Sequence, residues 1–339
     1  MEVTRYSPRQ LDQWSQFIST SANGTIFHQH EFLDYHPEGR FQWHHLVLGN
    51  LGSPEAVVPA AIRTDNDGRK LLCTPAGATL GGPVLKPRLG LVHTMDIVRS
   101  LVTYALEQQL DGIVLSTVPS IYWCQPDDTL TFALRDVGFR DTQQLGHYID
   151  LQGLSWPDVI ESIPGKRRYS FRKALKQGLE LKVAKSELEI SDFYEILLLN
   201  KAAHGAKPVH SLAEIVDLQQ RMGERLRIFT AHKDGRIVAG VYCISATTQV
   251  CYTQYIVDNP QDRAYDATRF ILFQMLTVLR EDGFRYLDLG PSVLLPVKNT
   301  HLALFKESLG AVGCKRYEWM LAFSPGNEGQ HIKKEEEEN

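Results

Sequence analysis

The sequence predicts an α+β protein of two tandem units, each a mixed, mainly antiparallel sheet flanked by helices. Three observations predict it. The first is length: 339 residues exceed one compact core and suit two domains of about 150 residues. The second is an internal repeat. A helical stretch, an Asp-Gly turn, an apolar strand and a Pro-Ser pair occur at His93–Ser120 and again at Thr268–Ser292. Pro119 to Gly138 and Pro291 to Gly310 are both nineteen positions, and Gly138 to Leu151 and Gly310 to Phe323 are both thirteen. Such self-similarity sets architecture before any motif does. The third is a run of three strand-like segments, the first two joined by Lys233-Asp234-Gly235, a hairpin signature because glycine takes positive φ at no steric cost.

Taken in order, Ser7–Thr20 reads as a helix with Leu11, Trp14, Phe17 and Ile18 on one face. Phe27–Tyr35 is a short aromatic segment. Strands are expected at Trp43–Leu48, Ala56–Arg63 and Lys70–Thr74, followed by the glycine-rich stretch Pro75–Pro83. Helix His93–Gln109, strand Ile113–Val118, helix Leu130–Val137 and strand Gly146–Leu151 complete a first domain, 1–152. Gly153–Pro157 marks the boundary, with Ser155 and Pro157 suited to a helix start. The second domain, 153–325, opens with the basic helix Lys166–Gln177 and continues through strand Leu179–Ala184 and helices Ile190–His204 and Leu212–Met222. Strands Leu226–His232, Ile237–Ala246 and Val250–Val257 come next. Helix Thr268–Glu281, strand Arg285–Leu289, helix Leu302–Leu309 and strand Tyr317–Phe323 close it. The tail 326–339 is a charge run expected to be disordered.

Composition excludes several classes. Net charge is −4, so no global basic field marks a dedicated nucleic-acid binder. No apolar run approaches the ~20 residues of a membrane-spanning helix, and the N-terminus has no signal pattern. The five cysteines form no CxxC pair and read as reduced thiols of a cytoplasmic protein. A zinc site is not expected: His204 and His210 lack a third ligand nearby, and His28, His30, His36, His44 and His45 read as aromatic packing and surface groups.

The element order of the second domain is similar to that of GNAT acyltransferases, in which the sheet splays after the third antiparallel strand and admits an acyl donor. The whole chain, from about Phe27 to Phe323, resembles the FemAB-like family, whose members carry two GNAT-like domains in tandem. Three segments carry the resemblance: Lys166–Gly178, Asp288-Leu289-Gly290, and Leu304-Phe305-Lys306-Glu307-Ser308-Leu309-Gly310, where Leu309 replaces the second aromatic of the family's Phe-Lys-x-x-Phe-Gly element.

The resemblance implies that Lys306 stabilises the tetrahedral oxyanion of acyl transfer, a role a fixed ammonium can fill, and that Phe305 lies beside the substrate. In the repeat register Lys306 stands opposite Leu134, the one chemical difference between the copies. A solvated surface lysine is the bland reading; on the functional one, Lys306→Ala lowers turnover without unfolding the protein. On Val250–Val257, simple alternation puts Tyr252, Gln254 and Ile256 on one face and Tyr255 on the other. Tyr255 can relay a proton or order a substrate, and buried packing explains it equally. Asp288, at a strand end, can orient an amine or cap the following turn.

The basic helix places Arg168, Arg172 and Lys176 at i, i+4, i+8, with Lys166 beside them, a stripe suited to a multi-phosphate ligand or to solvent. Where GNAT enzymes hold the CoA pyrophosphate, Asn259–Thr268 has no glycine and two carboxylates. That departure favours aminoacyl-tRNA over acyl-CoA as donor, and the long helical arm of some tRNA-using relatives is absent.

The expected function is N-acyl transfer of an aminoacyl or acyl group to an amine of a cell-envelope precursor or amino sugar, without metal or bound cofactor. The acceptor would be a small-molecule or lipid-linked phosphorylated compound, with peripheral membrane contact left open. An acetyl-CoA-dependent GNAT enzyme and a non-catalytic binder of a phosphorylated ligand are the alternatives.

Overall fold

The computed structural model describes residues 1–50, 52–152, 165–297 and 300–323. The expected boundary at Gly153–Pro157 and the charged tail lie outside them. The chain divides into two compact units, Met1–Gln143 with Arg316–Asn339, and Gln144–Lys315.

The first unit contains β1 (Val3–Arg5), α1 (Leu11–Thr20), α2 (His30–Leu33), β2 (Gln42–Trp43), β3 (Leu46–Asn50), β4 (Ser53–Val58), β5 (Ala61–Thr64), β6 (Lys70–Thr74), β7 (Val84–Leu85), α3 (Leu91–Glu107), β8 (Gly112–Ser116) and α4 (Thr129–Asp136). Strands β1, β3, β4 and β7 form one antiparallel sheet. The segments expected as single strands, Trp43–Leu48 and Ala56–Arg63, are each divided between two sheets. Pro59 cannot donate to a ladder, and the His45 Nδ1 accepts the Ala60 amide instead. Beyond that break β2 pairs with β5, β5 with β6, and β6 runs parallel to β8. The apolar stripe of α3 (Ile97, Val98, Leu101, Ala105) packs with Leu130, Ala133 and Leu134 of α4 and with Leu72, Ile113 and Leu115 of the sheet. Of the histidines read as packing and surface groups, His28, His30, His44 and His45 are all buried. His30 stacks on Tyr6 and His45 on Trp43.

The second unit opens with the last residues of β9 (Arg140–Asp150) and continues through α5 (Gly165–Leu175), β10 (Glu180–Ala184), α6 (Glu187–Ala203), α7 (Leu212–Met222), β11 (Leu226–Lys233), β12 (Arg236–Ser245), β13 (Val250–Asp258), α8 (Ala267–Glu281), β14 (Tyr286–Leu294) and α9 (His301–Glu307). The start of β15 (Val312–Ala322) closes it, and the rest of that strand lies in the first unit. Helices α6 and α7 begin with capping boxes, Ser186 with Glu189 and Ser211 with Glu214. Asp234 and Gly235 both take positive φ, as the predicted hairpin turn requires. The strand order is β10-β11-β12-β13-β14-β9, antiparallel except for β13 beside β14. Phe270, Ile271, Phe273 and Met275 of α8 pack over Phe229, Val241, Cys243 and Cys251.

The duplication holds in detail. Gly138 and Gly310 both sit at positive φ, and an eleven-residue strand starts two positions after each. Each of these terminal strands pairs with the penultimate strand of the other repeat. Tyr148–Asp150 lies against Tyr286–Asp288, and Glu318–Ala322 against Gly112–Ser116. The repeats therefore trade their final strands.

Candidate active site

Strands β13 and β14 part company early. They pair in parallel only at Val250–Tyr252 with Tyr286–Asp288, although β13 runs on to Asp258 and β14 to Leu294. This is the splay that the sequence led us to expect after the third antiparallel strand.

A β-bulge shapes the same region. Tyr255 opposes Tyr242 and Thr253 opposes Cys243, which leaves Gln254 as the extra residue. Tyr242 and Ile244 share a face of β12, and their partners Tyr255 and Tyr252 therefore share one too. Simple alternation had set those tyrosines on opposite faces; the bulge reverses the parity. Tyr252 also opposes Asp288, so Tyr252, Tyr255 and Asp288 lie on one side of the sheet.

Lys306 is buried, only 2% exposed, at the position equivalent to the fully buried Leu134. The solvated-surface reading is thereby excluded. Its Nζ donates to the carbonyls of Gly290 (3.0 Å) and Pro291 (2.8 Å). Those carbonyls are presented by a sharp bend: Gly290 has φ +75°, and its amide donates to Asp288 Oδ1 at 2.8 Å. Asp288 is fully buried, and its own carbonyl accepts from Thr253 Oγ1. The capping role of Asp288 is thus realised, and through it Asp288 shapes the seat of the Lys306 ammonium.

Tyr255 is tied into the loop before α7. Its oxygen accepts from the Val209 amide at 3.2 Å and lies 2.7 Å from His210 Nδ1. Burial pushes its phenol up to about 12, so it is neutral at ordinary pH and suited to ordering the loop. The Lys201 ammonium lies over its ring. Phe305 packs at the margin of the unit's core beneath the Arg269 guanidinium. On α5, Arg168 is half-buried while Arg172 and Lys176 are exposed. The side chain of Lys166 lies outside the described set.

The two carboxylates of the Asn259–Thr268 loop are not the bare charges the sequence suggested. Arg236 grips Asp262 through two bonds of 2.5 and 2.6 Å, and Arg269 Nε donates to Asp266 at 2.9 Å. The expected repulsion of a pyrophosphate is largely cancelled. Among the described residues no group of three His, Cys, Asp or Glu could hold a metal, and no helix is long and apolar enough to cross a membrane.

Three residues escaped the sequence reading. His147 on β9 is buried; its Nδ1 lies 2.8 Å from Ser292 Oγ and its Nε2 3.5 Å from Glu307 Oε1. Burial lowers its pKa, and nearby Lys306 lowers it further against the opposing pull of Glu307. The one cue available was Pro291-Ser292, which repeats Pro119-Ser120.

A splayed sheet, a buried lysine on α9 bonded to the backbone of β14 and a tandem repeat are the features of a GNAT-type fold. Residues 165–294 match the family model described as an acetyltransferase (GNAT) domain. Among solved structures the chain is similar to FemX, with 12% identity, 95% of this chain and 98% of that one covered, and a TM-score of 0.72. It is also similar to the C-terminal domain of a putative lysylphosphatidylglycerol synthetase from Agrobacterium fabrum (13%, 92% and 91%, TM-score 0.61). A tandem GNAT protein from the clavulanic acid biosynthesis pathway shares the fold as well (11%, 96% and 99%, TM-score 0.56). No curated protein sequence matches the chain. The motif resemblance is borne out: the second unit matches the GNAT acetyltransferase family model, and the chain has a tandem, FemX-like fold.

Proposed function

We propose that the second unit transfers an aminoacyl or acyl group to the amine of a cell-envelope precursor or amino sugar, with Lys306 stabilising the oxyanion. The observation that carries the proposal is the buried ammonium fixed by the Gly290 and Pro291 carbonyls where β13 and β14 diverge. A cation positioned before the reaction stabilises developing negative charge without reorganisation. Asp288 sets the bend that seats Lys306, and Tyr255 orders the loop before α7. Arg168, Arg172 and Lys176 offer a cationic stripe to a phosphorylated acceptor.

For the donor, aminoacyl-tRNA is the first reading, and fold likeness to a putative lysylphosphatidylglycerol synthetase is compatible with it. Acetyl-CoA is the second, favoured by the paired state of Asp262 and Asp266. Thermal shifts with acetyl-CoA, alanyl-tRNA and a nucleotide diphosphate sugar separate them, because a ligand stabilises the fold it binds. Stabilisation by micromolar acetyl-CoA alone would make the second reading the correct one. Transfer of labelled acetyl or alanyl groups to glucosamine, lost in Lys306→Met, tests catalysis itself. Turnover unchanged in that variant would remove Lys306 from the chemistry.

A further inference from the structure

Acyl transfer to an amine releases a proton, and some group must take it. The groups named so far fit that task poorly. Lys306 is a cation, Tyr255 is a neutral phenol with its oxygen engaged by Val209 and His210, and the buried Asp288 carboxylate receives the Gly290 amide.

His147 differs. Its imidazole is 1% exposed, yet Ser292 at its Nδ1 is only half-buried and reaches the surface. The Glu307 carboxylate at Nε2 favours the tautomer with its proton on Nε2. The Nδ1 lone pair is then aimed at the Ser292 hydroxyl. Among the described residues, the charged groups facing this imidazole are Glu307 and Lys306, both from α9. The burial that disfavours the imidazolium keeps the ring neutral and ready to accept.

We propose that Ser292, His147 and Glu307 form the proton relay of the transfer, with Ser292 facing the acceptor amine and His147 acting through it as a positioning residue. The inference rests on the reading of this unit as an amine acyltransferase. As the C–N bond forms and the donor's leaving group departs with its electron pair, an N–H bond of the amine breaks. Its proton goes to Ser292 Oγ while the Ser292 hydroxyl proton passes to His147 Nδ1. The resulting imidazolium faces the Glu307 carboxylate.

Two measurements test this. In 15N-histidine-labelled protein at pH 7.5, with His147 assigned by loss of its signals in His147→Gln, Nε2 is expected to carry the proton and Nδ1 to be bare. Glu307→Gln should weaken that preference and lower the pKa. A proton resident on Nδ1 overturns the relay whatever the enzyme's substrates are. With acetyl-CoA or alanyl-tRNA as donor and glucosamine as acceptor, Ser292→Ala should lower kcat on the order of 10²-fold. It should leave the donor KM unchanged and remove the acidic limb of the pH profile. Wild-type transfer whose pH profile is untouched by Ser292→Ala, or an acyl group found covalently on Ser292, also overturns it. Absence of wild-type transfer from either donor refutes the proposed function, and the tautomer measurement still decides the relay's geometry.

Discussion

Acidification should destabilise the first unit from about pH 6.5 downward, before most of its carboxylates are protonated, because it buries histidines in their neutral form. Desolvation holds His28 down to about 4, and burial, reinforced by neighbouring His30, His44 and Arg5, holds His45 down to about 3. In the unfolded chain both titrate near 6.5. Between these values the unfolded state binds more protons than the folded one, so stability rises with pH there. The contribution is complete above about pH 6.5 and is lost as pH falls toward the folded values. At pH 4.5 linkage gives a loss of roughly 2.5 kcal/mol per histidine, about 5 kcal/mol together. That is comparable with the whole stability of many domains, about 5–15 kcal/mol. The assay is the denaturant midpoint from pH 8 to 4.5, followed by tryptophan fluorescence, since Trp14 and Trp43 both contact His45. His28→Gln with His45→Gln should flatten the dependence between pH 6.5 and 4.5, whatever its effect at pH 8. An unchanged slope in the double variant refutes the reasoning.

Other substitutions probe the second unit. Lys306→Met leaves the Gly290 and Pro291 carbonyls without their ammonium and should cost roughly 2–4 kcal/mol as well as turnover, measured by urea midpoint. A cost of that size is below the whole stability of a typical domain, so turnover can still be read in the folded variant. Gly240→Ala drives a Cβ into the Phe193 ring; overpacking of about 1–3 kcal/mol should appear as a lower melting temperature. Arg236→Ala strands the buried Asp262 carboxylate. Because the arginine is largely exposed, the loss should be modest, and Arg236→Ala with Asp262→Ala should recover part of it, read as urea midpoints.

Local chemistry made many elements legible. Strand Lys70–Thr74 and helix Leu212–Met222 were read with their observed bounds; in the structure Ser211 caps that helix and Gly223 follows its last residue. What sequence could not show was made by contacts distant in the chain. The division at His44-His45 depends on a His45 side chain reaching Ala60, and a strand pattern cannot reveal a sheet change. The bulge at Gln254 is a property of two strands in register, so alternation along one strand misplaced Tyr255. His147 and Ser292 are 145 positions apart, and no local motif joins them. Lys306 was found twice, through the Phe305-Lys306 motif and through the repeat that supplied Leu134 as its counterpart; what neither could reveal is that both positions are interior.

The traded final strands impose a timetable on synthesis. One neighbour of β8 in the first unit is β6 and the other is Glu318–Ala322, and Trp319 bonds Thr117 across 202 positions of chain. During translation the N-terminal unit, usually the first to fold, must wait with one edge of β8 open until nearly all of the second repeat has emerged. An unsatisfied strand edge of that kind invites pairing with other chains. Nascent chains halted anywhere before Glu318 should therefore be the aggregation-prone species, and a chaperone would have most to protect in that interval.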